Sequence, residues 1–197
     1  LKFGDGSQIE VPLTVTTARP DLGNEMGIAS YTISHTYGGP GRYAITYQEA
    51  NRNESILNIN NSVQTQFFLL TSITIDPFLG CSNTPQLLVP PIDKSCTGSA
   101  WLHNPGAFDP DGDSLSYELT VPKQADGLAV DNYRDPNTRE FYDRIGLDYL
   151  TANEEQNGKP TFAIDPVSCT VTWDAPGASG EYNIAFIIKE WRKINVR

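Results

Sequence analysis

Short runs of β-favouring residues recur along the whole 197-residue chain, and turn-forming residues separate them. The turns draw on 16 Gly and 14 Pro together with Asn and Asp, which suit the tight backbone angles of reverse turns. Sustained apolar spacing of three and four residues, which predicts amphipathic helices, is nearly absent. Several runs instead alternate apolar and polar residues, as at 31–37. The sequence therefore predicts an all-β fold.

Six strands stand out from this pattern. Gly-Gly-Pro-Gly at residues 38–41 breaks the first strand and turns the chain into the second, which predicts a hairpin. The predicted strands are residues 28–37, 43–48, 65–76, 115–121, 170–173 and 182–190.

The chain is long enough for two small domains. One β-rich block ends near residue 77, and a proline-rich stretch opens the next. We predict domains at residues 1–77 and 78–197. The second contains a long polar loop at residues 131–159, where apolar spacing of four predicts a helical turn or two.

The charge balance disfavours two classes of partner. The chain has 14 Lys and Arg against 24 Asp and Glu, a net charge of −10, and the basic residues form no stripe. Nucleic acids and anionic membranes are therefore not expected partners. No apolar run approaches the roughly 20 residues that span a bilayer, so membrane insertion is not expected either. The chain does not begin with Met, and we expect a fragment of a longer protein.

The N-terminal region carries FGDGS at residues 3–7, followed by His-Thr-Tyr at 35–37 and by Pro-Gly-Arg-Tyr-Ala-Ile-Thr at 40–46. In this order the motifs resemble those of the PKD domain, an immunoglobulin-like module of extracellular proteins. The resemblance implies that Asp5 and His35 fix turns and the core hairpin and have no catalytic role. It also implies that the first module lacks its N-terminal strands.

A second motif places Asp109, Asp111 and Asp113 at alternate positions around a glycine, just before a predicted strand. Ca²⁺ prefers about six to eight oxygen ligands, so this spacing predicts a calcium turn. An Asx-rich turn without an ion is the alternative. The motif is not an EF-hand, because the twelfth position of such a loop is Thr120 where a Glu is required.

This motif is similar to the D-x-D-G-D-x-L-x-Y signature of bacterial cadherin-like and immunoglobulin-like surface domains, and residues 162–166, 171–176 and 180–184 fit the same modules. Most of the chain resembles repeats of gliding-motility-associated or type IX-secreted surface proteins of the Bacteroidota. The resemblance implies two consecutive immunoglobulin-like β-sandwich modules at the cell surface, with a structural or adhesive function. The implied partners are neighbouring domains of the same polypeptide and surface glycans or other cell-surface proteins.

The three cysteines predict no zinc site, because they form no C-x-x-C or Cys/His pattern. Cys81 and Cys96 flank a proline-rich loop that a disulfide between them can close in an oxidising compartment. Three small buried thiols are the alternative, and Cys169 is unpaired in both cases.

Enzymatic activity is not expected. The chain has two histidines and no H-E-x-x-H, G-x-S-x-G or phosphate-binding glycine motif. The alternative to a structural or adhesive module is a glycan-binding accessory module, since exposed aromatic rings beside polar groups bind sugars. Tyr133, Tyr142 and Tyr149 in the long loop are the candidates. An exposed cluster of these rings favours ligand binding, and buried rings favour a spacer.

Overall fold

The computed structural model describes residues 1–11, 17–21 and 26–193. Short strands in small antiparallel sheets dominate, with little helix, so the predicted all-β fold is confirmed. The chain divides into two compact units. The smaller unit comprises Leu1–Gln48 and Leu69–Cys81, and the larger comprises Glu49–Phe68 and the described part of Ser82–Arg197.

The strands are numbered in chain order. The first four are β1 (Thr17–Ala18), β2 (Gly27–Ile28), β3 (Gly41–Glu49) and β4 (Phe67–Ile75). The remaining strands are β5 (Gln86–Leu87), β6 (Trp101–His103), β7 (Ala107–Phe108), β8 (Ser114–Thr120), β9 (Lys123–Ala125), β10 (Leu128–Ala129), β11 (Thr161–Ile164), β12 (Val171–Asp174) and β13 (Ala185–Trp191). One α-helix, α1 (Arg139–Arg144), and two 3₁₀ turns, Ser62–Gln64 and Tyr149–Thr151, complete the described elements.

In the smaller unit, β1 pairs with β2 and β3 with β4. The predicted hairpin between residues 28–37 and 43–48 is wrong, because residues 29–37 form no strand. His35 and Tyr37 instead pack on the N-terminal loop: the His35 ring stacks on Phe3, and the Tyr37 hydroxyl donates to the Phe3 carbonyl. Alternating burial thus arises there from side-chain packing without a hydrogen-bonded ladder.

In the larger unit, a three-stranded sheet has the order β11-β12-β6, and β13 pairs with β8. Residues directly opposite in an antiparallel pair share a face. Tyr117 lies opposite Ile188 on the inner face, whereas Glu118 lies opposite Ile187 on the outer face. The core is an aromatic and aliphatic cluster against which Leu119 of β8 packs. Its buried members are Phe141, Tyr142, Phe162, Val171 and Trp173.

The helix α1 lies inside the predicted long loop at residues 131–159, which confirms the predicted helical turn. The Thr138 hydroxyl caps it by accepting from the Phe141 backbone N–H. The helix places Phe141 and Tyr142 in the core, where neither side chain is exposed.

Residues 49–68 belong to the larger unit, although the sequence placed them in the first predicted domain. Ile56 and Ile59 pack there against Val130. Arg52, only 9% exposed, donates from Nη1 to Asn183 Oδ1 at 2.9 Å and from Nη2 to the Lys123 carbonyl at 2.7 Å. The predicted boundary near residue 77 is close to the passage between the units after Cys81.

Candidate functional site

Residues 109–113 form a tight turn directly before β8. Asp109 Oδ1 accepts hydrogen bonds from the backbone N–H groups of Asp111 at 2.8 Å and Asp113 at 3.2 Å. The Asp109 carbonyl accepts from the Gly112 N–H, and Gly112 has a φ of +82°, which glycine adopts without strain. The spacing of aspartates therefore forms an Asx-rich turn through protein groups alone.

Asp111 is engaged by protein donors. Its Oδ2 accepts from the Asn83 backbone N–H at 2.6 Å, and its Oδ1 accepts from Asn83 Nδ2 at 2.9 Å. These hydrogen bonds, the backbone one foremost, hold the pKa of Asp111 below its usual value. The three-aspartate ligand set is thus not assembled, because the Asp111 carboxylate anchors the segment around Asn83.

Asp109 and Asp113 are instead joined by Glu190, which sequence reasoning missed. One oxygen from each of the three carboxylates lies within 4.8 Å of the other two, and all three residues are partly buried. Asp109 Oδ2 is buried without a hydrogen-bond partner. Glu190 reaches this place because β13 pairs it with Leu115 on β8. Three neighbouring carboxylates repel one another and offer hard oxygen ligands, so the cluster has the donors for a divalent cation.

Arg192 supplies a positive charge to the same cluster. Its Nε and Nη2 lie 2.8 Å and 2.7 Å from Asp113 Oδ2, and Nη2 lies 3.9 Å from Glu190 Oε1. Nη2 also donates to Ser82 Oγ at 2.9 Å, and Ser82 Oγ donates to Glu190 Oε1 at 3.0 Å. The hydrogen bond to Asp113 is the largest cause of a raised Arg192 pKa. Nη2 also lies 3.4 Å from Asp111 Oδ2, which connects Asp111 and Asn83 to this set. We call the linked set the polar clasp; it comprises Ser82, Asn83, Asp111, Asp113, Glu190 and Arg192.

Tyr142 is a core residue, and its prediction as a ligand-binding residue is wrong. Its side chain is 0% exposed; its hydroxyl accepts from Trp173 Nε1 at 3.0 Å and donates to the Ala175 carbonyl at 3.3 Å. Burial raises its pKa to about 12. The residue is inaccessible because α1 turns this face towards the core.

Tyr133 and Tyr149 are half-buried. Tyr133 packs against the cluster around Ile59, and burial raises its pKa. The Tyr149 hydroxyl donates to the Asn137 carbonyl at 2.9 Å, and the charged groups of Arg139 and Lys159 each lie 5.6 Å from its ring centroid. The three predicted tyrosines therefore do not form one exposed aromatic cluster.

The predicted disulfide is not present in this structure: Cys81 and Cys96 are exposed thiols. A disulfide needs Cβ atoms about 3.5 to 4.5 Å apart, which proximity in sequence does not guarantee. Cys169 is buried, and burial raises its pKa to about 11.

Ser7, His35 and Asp5 lie together in the smaller unit, but they do not form a catalytic triad. His35 Nε2 lies 2.7 Å from Asp5 Oδ2 and 3.5 Å from Ser7 Oγ. In a triad the aspartate holds Nδ1 and leaves Nε2 for the serine, whereas here both groups share one nitrogen. The Ser7 hydroxyl and backbone N–H also donate hydrogen bonds to Asp5 Oδ1, so these contacts stabilise the turn at residues 5–7.

Comparisons with protein-family models, with curated proteins and with solved structures each found no match. The resemblances to PKD and cadherin-like modules therefore stay predictions. Among the described helices, none has the length and apolar character needed to cross a membrane.

Proposed function

We propose that this chain is a non-enzymatic structural or adhesive part of a larger extracellular or cell-surface protein. The observation that carries the proposal is the polar clasp. It fastens Ser82, where the chain re-enters the larger unit, to Arg192 just after β13, and it fastens Asn83 to Asp111 in the turn before β8. The half-buried and buried tyrosines of the long loop also favour a spacer over a ligand-binding surface.

The clasp matters most under tension. Tension between Ser82 and the segment at Arg192 would act directly on the bonds of the clasp. If the clasp were open, the load would peel β13 from β8 one residue pair at a time, beginning at Trp191 opposite Ser114. With the clasp closed, the bonds from Arg192 to Asp113 must break first. Charge-assisted hydrogen bonds of this kind are roughly twice as strong as neutral ones.

Calcium is part of the proposal, with a set of ligands that differs from the predicted set in one residue. Asp109, Asp113 and Glu190 would bind the ion, and Asp111 would remain the anchor for Asn83. The buried, unpartnered Asp109 Oδ2 supports this set, since a cation would satisfy it. Arg192 already shares Asp113 and faces Glu190, so the ion and the guanidinium compete for the same carboxylates.

Thermal unfolding in EDTA, followed by addition of Ca²⁺ or Mg²⁺, tests the metal. We expect a calcium-selective rise in the midpoint of the larger unit, equivalent to about 2.7 kcal/mol at a hundredfold excess of calcium over Kd. Asp109→Asn should abolish the rise. Asp126→Asn, which removes one exposed carboxylate elsewhere, is the matched control and should preserve it. No rise up to millimolar calcium would remove the metal from the proposal and leave a clasp held by Arg192 alone.

One observation favours the glycan-binding alternative. The Trp191 ring is 59% exposed on the outer face of β13, and its Nε1 donates to Ser116 Oγ at 2.7 Å. The ion pair between Lys189 and Glu118 lies on the same face. A screen against a glycan array separates the two functions: binding that Trp191→Ala removes would favour the accessory module, and no binding favours the spacer.

A further inference from the structure

One edge of β4 has no partner strand among the residues that the structure describes. Among the described residues, this nine-residue strand pairs with β3 and with no second strand. Residues 69–72 are all exposed, and the consecutive Leu69 and Leu70, which point to opposite faces, are 54% and 39% exposed. Within the described part of the chain, this edge thus has backbone donors and acceptors without a ladder partner beside exposed apolar side chains, an arrangement that binds another strand.

The strands of the larger unit are protected in ways that β4 is not. Short length protects β6 and β11, which have three and four residues. Charge protects the outer face of β8 and β13, where Glu118 pairs with Lys189. Residues 64–75, which include β4, contain no charged residue, proline or glycine. Charge, proline and short length are the usual means of preventing edge-to-edge pairing, and β4 has none of them.

We propose that β4 pairs antiparallel with β4 of a second copy of this chain, across a two-fold axis at Thr71. In this register Thr71 faces its own counterpart, and threonine pairs across strands are favourable. Every other pair joins an apolar residue to an apolar or hydroxyl residue. The pairs are Phe67 with Ile75, Phe68 with Thr74, Leu69 with Ile73 and Leu70 with Ser72.

The absence of charge from β4 favours a second copy as the occupant over a charged peptide. A charged strand finds no counter-charge on β4, because residues 64–75 carry none. A second β4 strand is uncharged and needs no counter-charge. Pairing of two identical strands gives a closed dimer with two-fold symmetry. The net charge of −10 opposes the approach of two copies, so screening by salt should strengthen the dimer.

Analytical ultracentrifugation of the full chain at several concentrations and two salt concentrations tests the pairing. We expect a monomer–dimer equilibrium that tightens with salt. Thr71→Lys and Thr71→Glu should each raise the dimer Kd about fivefold, because each places like charges opposite one another. Mixing the two variants should restore the wild-type Kd or a tighter one, because the introduced ammonium then faces the introduced carboxylate.

Thr161→Lys is the matched control, since Thr161 is exposed on the short edge strand β11, and it should leave the Kd unchanged. Circular dichroism verifies that each variant folds. A wild-type chain that stays monomeric at all concentrations would overturn the proposal. So would a dimer that the Thr71 variants do not weaken, or a mixture of the two variants that associates no better than either alone.

Discussion

The two units are stabilised differently. The larger unit buries Phe141 and Tyr142 completely and Trp173 to 3% exposure. In the smaller unit, Phe3 is the one buried apolar residue among those described, and it is 8% exposed. Partly exposed ring stacks supplement it, with centroids 4.0 Å apart for Phe3 and His35. The larger unit thus contains a core of its own, whereas the smaller unit leaves apolar side chains and a strand edge available for other contacts.

The largest effect should come from the core of the larger unit. Phe141→Ala should lower its unfolding free energy by about 3 to 5 kcal/mol, through lost burial and a residual cavity. Tryptophan fluorescence during urea unfolding reports on this unit, because all three Trp residues lie in it. Val167→Ala, at a side chain of the same unit that is 81% exposed, should change stability by less than about 0.5 kcal/mol. Equal effects of the two substitutions would remove the contrast between core and surface.

Arg52 tests whether residues 49–68 are part of the larger unit. Arg52→Met should cost about 2 to 3 kcal/mol, because removing the guanidinium leaves Asn183 Oδ1 and the Lys123 carbonyl without this donor. Arg52→Lys should not restore stability, since one ammonium does not reproduce the planar set of donors. The same urea titration measures both variants. Wild-type stability in Arg52→Lys would show that only the charge matters.

Substitutions of two tyrosines in the long loop compare the stability lost at a buried position with that lost at a half-buried one. Tyr142→Phe removes the acceptor of the Trp173 indole N–H and should cost about 1 to 3 kcal/mol, because a buried donor is left unsatisfied. Tyr149→Phe loses one hydrogen bond at a half-buried site and should cost about 0.5 to 1.5 kcal/mol. Paired unfolding curves measure the difference. A larger loss for Tyr149→Phe would contradict the assignment of Tyr142 to the core.

The smallest expected effect is a loss of stability of the smaller unit at low pH. Hydrogen bonds from Ser7 and then from His35 lower the pKa of Asp5 in the folded state. A lowered folded pKa gives stability that is present above the unfolded value of about 3.9 and is lost as pH falls towards the folded value. We expect the midpoint of the smaller unit, followed by circular dichroism, to fall below about pH 4. Asp5→Asn should flatten this dependence, and the exposed Glu10→Gln should retain it.

The sequence predicts local patterns well in this chain. Five of the six predicted strands overlap observed strands over most of their length, because β-branched residues and alternating polarity favour extended structure within a single segment. The predicted ranges 43–48, 65–76, 115–121, 170–173 and 182–190 overlap β3, β4, β8, β12 and β13 in that order. Residues 29–37 have the same alternation, but the half-buried His35 and Tyr37 pack on Phe3, and the segment forms no ladder. Burial alone therefore does not distinguish a paired strand from a packed loop.

Only one part of the candidate site, the turn at residues 109–113, was predictable from the sequence. The turn at Asp109 follows from the spacing of aspartates and glycine, since its hydrogen bonds span two to four residues. Arg192 lies 79 residues from Asp113, and Glu190 reaches the turn only through the register of β13 on β8. No motif in the sequence signals that register, so the clasp became visible only in the folded structure.

The most direct test of the proposed structural function is a single-molecule pulling experiment on the whole chain, held at its two ends. The wild-type chain should show an unfolding event of the larger unit whose force falls in Asp113→Asn, because that substitution weakens the bonds from Arg192 while leaving the core intact. Asp126→Asn should match the wild type. Equal unfolding forces for wild type and Asp113→Asn would contradict the claim that the clasp resists unfolding under force.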